Sequence, residues 1–378
     1  MFGKKVQFNR HEIAGSFGDI GTDLPLIVGM IQAVNLNSAS VFIMFGLLQI
    51  ITGFYYGLPM PMQPLKAMAV LVITQKVSGE ILFGAGLAIG VFMLILTLSG
   101  ALNHIARLIP LCVVRGIQFG LGLSLASLAI KTYIPSAGIP GYGLAIIGFL
   151  ILIATPKKSR LPAGIAVIGL GILYALFFGL NLNDIASEIK ISLPEFYQPT
   201  TQDILTGFVV LALPQIPLSI SNSLIATQQT VQDLFPAERV SIRRIGLTYA
   251  IANLIAPFFG GIPVCHGCGG LAGHYALGAR TGGSVILYGL IYLLIGLFFS
   301  QVFSQIVQVF PQPILGVILL FESLTLLLLI ADQAAHRRNF LIALIVGLFA
   351  LLVPQGYLLG LIIGTGLYYL SSRLAFFA

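Results

Sequence analysis

Apolar residues in this chain fall in long blocks separated by short polar or Gly/Pro-rich turns, without sustained alternation or a 3.6-residue stripe. Fourteen blocks can be read, near residues 13–34, 40–56, 63–74, 81–102, 113–132, 142–154, 162–180, 204–228, 245–259, 267–278, 283–303, 312–331, 340–353 and 356–370. A helix needs about 20 apolar residues to cross a bilayer core, and most of these blocks approach that length. The pattern predicts an all-α polytopic membrane protein. The longest polar stretch, residues 181–203, carries Asp184, Glu188, Glu195 and Asp203 and divides the chain nearly in half. Seven segments then precede it (1–180) and seven follow it (204–378).

Composition sharpens that reading. Of 378 residues, 57% are hydrophobic and 8% charged, against roughly 25% charged in an ordinary soluble domain. Too few charges remain to coat a globule in water, so a soluble enzyme is excluded. Three cysteines, Cys112, Cys265 and Cys268, are too few for a disulfide scaffold. The first residues, MFGKKVQFNRHEIAG, carry no cleavable signal pattern.

The net charge of +7 acquires meaning only by position. With the N-terminus inside and fourteen crossings, fifteen of the nineteen Lys and Arg residues fall on the inner side. Lys76, Lys131 and Lys190 fall outside, and Lys66 lies within a segment. That asymmetry is the positive-inside signature, and it assigns the charge to cytoplasmic loops, not to nucleic acid. Both termini are expected in the cytoplasm, with the chain in the inner or plasma membrane.

Two segments differ from the others. The third is short and follows Gly57-Leu58-Pro59-Met60-Pro61-Met62-Gln63-Pro64-Leu65-Lys66, and the tenth follows Gly261-Ile262-Pro263-Val264-Cys265-His266-Gly267-Cys268-Gly269-Gly270. Both read Gly, aliphatic, Pro, aliphatic, then an irregular stretch opening a small-residue helix. Asp23-Leu24-Pro25-Leu26 and Gln215-Ile216-Pro217-Leu218 form a weaker second pair. Seven crossings per half invert the second copy relative to the first. Paired, Gly/Pro-broken short segments of this kind point to a transporter's binding site.

These runs, with Leu277-Gly278-Ala279-Arg280, Gly18-Asp19-Ile20-Gly21-Thr22 and Leu213-Pro214-Gln215-Ile216-Pro217, resemble the molybdate transporters related to sulfate permeases. The resemblance covers essentially the whole chain. It implies the seven-plus-seven inverted-repeat fold of sulfate permeases and nucleobase transporters, and driven uptake of an oxyanion, molybdate or sulfate. Asp23 stands where an aromatic or aliphatic residue is more usual, and Cys268 where a small one is. The chain ends just after the fourteenth segment, so the cytoplasmic regulatory domain of many sulfate permeases is expected to be absent. A homodimer is a further expected partner, besides the oxyanion, protons and lipid.

The chemistry of the broken segments follows from helix ends. A helix start exposes unpaired N–H groups and the positive end of its dipole, a natural anion site. Gly267, Gly269 and Gly270 are expected to let backbone approach the anion, beside Cys268. The alternative for such glycines is close helix packing. Lys66, a cation within a segment, is expected either to attract a dianion or to pair with Asp19 or Asp23. Gln63 either donates to an oxyanion or caps a helix. Gln215, Ser219 and Asn222 share one helical face and, with Thr22, are expected to line the site or bond between helices. Asp19, Asp23, Glu322 and His266 are candidate proton carriers, with structural hydrogen bonding as the alternative for Glu322 and His266. Cys265 and Cys268 have C-x-x-C spacing, but a haem site needs His where Gly269 stands, and zinc needs more ligands nearby. No cofactor is expected. The competing function among carriers is a sulfate permease or a nucleobase-type transporter on the same fold, and outside them an anion channel.

Overall fold

In the computed structural model, residues 6–155, 163–178, 189–303 and 310–370 are described. Asp184 and Glu188 of the midpoint loop, and the basic residues Lys157, Lys158 and Arg160, lie outside these. The elements run α1 Arg10–Gly15, α2 Ile20–Val34, α3 Ser38–Tyr56, β1 Met62–Pro64, α4 Lys66–Gln75, α5 Gly79–Leu98, α6 Ala101–Leu108, α7 Leu111–Leu128, α8 Gly138–Ala154 and α9 Ala163–Phe178. The second half continues with α10 Thr201–Leu234, α11 Ile242–Ile255, β2 Val264–His266, α12 Cys268–Ala276, α13 Gly283–Phe298, α14 Gln312–Leu328, α15 Arg337–Leu352 and α16 Gly356–Leu370. A helix occupies each of the fourteen apolar blocks.

Three local departures have identifiable causes. The first block is two helices, because the chain breaks at Ser16–Asp19, where Gly18 lies backbone to backbone against Gly273. The buried Glu12 of α1 accepts the N–H groups of Arg280, Thr281 and Ser284, tying this first turn to the start of α13. The fourth block ends at Gly100, whose φ of 75° stops α5 and launches the short amphipathic α6. Long α10 contains Pro214 and Pro217, and π-helical turns at Phe208–Ala212 and Ser219–Ala226 flank them. Proline offers no N–H to the ladder, so the helix widens around it.

The helices sort into two bundles. In one, α3 packs along α13 and α5 packs along both α10 and α11. In the other, α7 packs against α14 and α15, α15 against α16, and α8 against α14. The pairings obey the inverted repeat. The second segment pairs with the eleventh (α3 with α13), and its counterpart the ninth pairs with the fourth (α11 with α5). The α3–α13 contact is made by glycines, with Gly46 against Gly289 and Gly53 against Gly282, as expected for small-residue packing in lipid. Outward positions such as Ile139, Ile146, Leu150 and Phe177 are exposed apolar residues, the surface a bilayer requires.

The halves meet at a two-stranded antiparallel ribbon. β1 pairs with β2 in the register Met62 to His266, Gln63 to Cys265 and Pro64 to Val264. An open strand edge inside a membrane is costly unless its polar groups are matched. Both outer edges are matched by an amide side chain. Gln49 of α3 donates to the Met62 carbonyl (2.7 Å) and accepts the Met62 N–H (2.9 Å). Asn253 of α11 does the same for Val264, at 2.6 and 2.9 Å.

Candidate functional site

The ribbon delivers the starts of α4 and α12 to one place, and the two starts are chemically unequal. The Oε1 of Gln215, from α10, accepts the N–H groups of Ala67 and Met68 at 3.0 and 3.3 Å. Its Nε2 donates to Ser219 Oγ, which in turn meets the Tyr249 hydroxyl at 2.8 Å. The first half-helix is therefore capped by a side chain from the opposite repeat. At the second, opening on Cys268, Gly269 and Gly270 after Gly267, no side chain from another element caps the start among the described residues.

The three glycines differ in the space around them. A Cβ on Gly267 would overlap the Gln63 side chain, and one on Gly270 would overlap Asp19 and Pro61. Their openness is already filled by protein, contrary to the expectation that all three admit a ligand. At Gly269 the nearest atom to an added Cβ is Glu322 Oε1, 4.0 Å away. Gly269 alone faces open space.

Lys66 begins α4, 6% exposed, and its Nζ lies 2.9 Å from Glu322 Oε1. The ion-pair alternative thus holds with a different partner, since neither Asp19 nor Asp23 makes the pair. Thr22 lies in the neighbourhood of the Glu322 carboxylate. Because Glu322 belongs to α14, this ion pair joins the first half-helix to the second half of the chain. Asp19 instead accepts from Gln63 Nε2 at 2.5 Å, and the Asp23 N–H donates to the Asp19 carbonyl at 3.1 Å. Asp23 accepts from the Tyr288 hydroxyl at 3.1 Å, and Tyr288 meets Tyr292 at 2.9 Å. Asp19 Oδ2, Asp23 Oδ1 and Gln63 Oε1 are buried with no hydrogen-bond partner among the described residues.

His266 sits apart from these carboxylates. Its ring nitrogens engage Thr248 Oγ1 (2.8 Å) and the Pro61 carbonyl (3.3 Å), and its ring stands edge-on to Tyr56. With both nitrogens bonded, the structural alternative describes it. Asn222 accepts from Cys268 Sγ at 3.3 Å and from Gln118 Nε2 at 3.1 Å. Gln118 in turn accepts from Arg115, which pairs with Asp332 at 2.6 Å. This polar lane grows more exposed outward, from buried Gln118 to Arg115 at 21% and Asp332 at 41%.

Comparison with known proteins bears on what this arrangement serves. A family model described as "Molybdate transporter of MFS superfamily" matches residues 11–125 and 207–326, the two stretches holding both half-helices. The chain belongs to this family. Molybdate transporter 2 of Arabidopsis thaliana is 32% identical, over 87% of this chain and 81% of that one. Molybdate transporter 1 of Chlamydomonas reinhardtii is 27% identical, over 94% and 91%. The fold matches the transmembrane domain of a cyanobacterium bicarbonate transporter, BicA, with a TM-score of 0.71 at 17% identity over 95% of this chain and all of that one. It also matches the murine Solute Carrier 26 family member A9 anion transporter in the inward-facing state, with a TM-score of 0.74 at 12% identity over 98% and 69%. The molecule is therefore a multi-pass membrane transporter with the seven-plus-seven fold, and not an enzyme.

Within this family member, sequence reasoning missed several partners. Gln118, Tyr249, Tyr288 and Tyr292 are polar groups inside apolar blocks, and that placement was the available signal. Gln49 and Asn253 carried the same signal.

Proposed function

We propose that this transporter imports a tetrahedral oxyanion, molybdate first, bound at the start of the second half-helix beside Lys66. The observation that carries the reading is the inequality of the two half-helix starts. One has its second and third N–H groups taken by Gln215, whereas the other is uncapped, opens at Gly269 and has an ammonium group nearby. An uncapped helix start with an adjacent cation is what a dianion requires. Asn222 and Cys268 border the same space. Gln63, Gln215, Gly267 and Gly270 shape it, and Thr22 acts through Glu322. The repeats are taken as 1–180 and 204–378, joined by 181–203. The exposed Arg115–Asp332 end of the polar lane is assigned to the cytoplasm, in keeping with the distribution of basic residues.

Coupling follows from the charge of the cargo. A dianion entering a cell with a negative interior climbs roughly 4.6 kcal/mol per 100 mV, because each charge costs about 2.3 kcal/mol. At least two protons cancel that charge. Asp19 and Asp23, one turn apart on α2 and joined to the Tyr288–Tyr292 hydroxyls, are the proposed carriers, with Asp19 nearer the half-helices.

The reading is tested by titrating purified protein with molybdate, tungstate, sulfate and uracil, in wild type and in Lys66→Gln. Saturable oxyanion binding is expected, weakened in the variant by about 1–3 kcal/mol, the scale of a charged hydrogen bond. Binding of uracil alone would move the chain to the nucleobase branch of the fold. In vesicles, Asp19→Asn is expected to retain exchange of substrate for substrate but to lose accumulation driven by a pH gradient.

A further inference from the structure

Everything suited to hold an anion converges on an anion the protein already carries. Lys66 Nζ is 2.9 Å from Glu322 Oε1, and the open face of Gly269 looks onto the same Glu322 Oε1. We infer that the Glu322 carboxylate occupies the substrate's place as a tethered competitor, and that an oxyanion enters by displacing it from Lys66. The inference rests on reading Lys66 and the start of α12 as the anion site.

Charge bookkeeping makes the competition specific. With Glu322 against Lys66, the pair presents no net charge, so an approaching dianion meets only the helix end. With Glu322 swung away, the full charge of Lys66 faces the cargo. A dianion carries twice the charge of a carboxylate, so its attraction to one ammonium at equal distance is twice as large. The tether is also well placed to be displaced. Glu322 is 19% exposed, against 6% for Lys66, so the carboxylate is less enclosed than the ammonium and is the partner with room to move.

The contact has a second consequence, because its partners lie in different halves of the chain. Lys66 heads α4, packed on α2, α10 and α7, whereas Glu322 is in α14, packed on α7, α8 and α2. Displacing Glu322 removes a charged link between the first half-helix and α14 at the moment the cargo is seated. The empty site is latched and the loaded one is not. Any motion of α14 relative to the half-helix is then biased toward the loaded state, since a ligand shifts an equilibrium only through contacts that differ between its states.

The apparent affinity of a site that is free only part of the time falls by the fraction of time it is free. If Glu322 leaves Lys66 about a tenth of the time or less, removing its charge raises affinity by roughly tenfold or more. The experiment titrates the purified full chain with molybdate and, separately, sulfate, in wild type, Glu322→Gln and Glu322→Asp. Tighter binding of both anions to Glu322→Gln is expected, by about tenfold or more, with a smaller gain in Glu322→Asp, whose carboxylate is retracted by one methylene. Equal or weaker binding to folded Glu322→Gln overturns the inference. Should that variant not fold, equal or weaker binding to Glu322→Asp does the same. Wild-type protein offers an independent measure, the yield of a carbodiimide-induced amide between Lys66 and Glu322, read by mass spectrometry. Saturating molybdate is expected to suppress it, and an unchanged yield with molybdate bound overturns the displacement. Absence of any oxyanion binding in the wild type would instead sink the site reading beneath it.

Discussion

Gly269 and Gly270 are neighbours with opposite sensitivities. A methyl group at 269 enters the space in front of Glu322, whereas side-chain bulk at 270 meets Asp19 and Pro61. Gly269→Ala is therefore expected to keep its thermal midpoint in detergent within a few degrees of wild type while losing oxyanion affinity. Gly270→Val is expected to lose thermal stability outright, because overpacking a tight contact costs about 1–3 kcal/mol. A Gly270→Val protein as stable as wild type, measured in the same melting assay, would show that Asp19 yields there. The glycines themselves were legible in the sequence as markers of close approach. What approaches each of them was not, because a Gly-rich run has the same letters whether a ligand, a carboxylate or an amide fills the space. Lys66 was equally legible as a membrane-embedded cation needing a partner. Its partner was not, since Glu322 is distant in the chain and only the packing of α14 from the other half brings it near.

At the level of elements, the ribbon and its two half-helices depend on amides reaching in from outside. Gln49 and Asn253 each satisfy one N–H and one carbonyl of a strand edge. Leucine at either position is expected to orphan both groups, at about 1–3 kcal/mol for each buried group left unpaired. Melting curves of Gln49→Leu and Asn253→Leu are expected to fall by similar amounts, as the repeat symmetry requires. Gln215→Leu likewise uncaps the first half-helix. A loss of about 0.5–2 kcal/mol is expected on the scale of helix caps, appearing in stability before affinity. A Gln215→Leu protein with wild-type stability but no oxyanion binding would move Gln215 from cap to ligand. The short strands were visible in the sequence only as proline-rich lead-ins. Their pairing escaped notice because three residues carry no period, and the register is fixed by partners in the other half.

For the whole molecule, the inverted repeat was readable because the Gly-aliphatic-Pro signature occurs twice and each half holds an odd number of apolar blocks, seven. The division into bundles was not, since α3 with α13 and α5 with α11 are pairings across halves that neighbouring blocks do not suggest. Sidedness is the remaining global property, and it rests on loop charge. A single cysteine at Lys76 is expected to react with a membrane-impermeant maleimide applied to intact cells. One at Arg337 is expected to react only after permeabilisation. The reverse labelling would invert the orientation and, with it, the assignment of the Arg115–Asp332 end to the cytoplasm.

The amide clamps also bear on how the protein is made. Gln49 and Met62 belong to the first half of the chain, and Asn253 and Val264 to the second, so each strand can secure its outer edge without waiting for the other half. The inner edge is different, since Gln63 finds Cys265 only after some two hundred further residues have left the ribosome. Until then the newborn first half sits in the bilayer with one strand face waiting. Pairing of the second strand with the first is the step that joins the two halves at the ribbon. A truncation before Val264 is expected to yield an inserted protein that no anion stabilises.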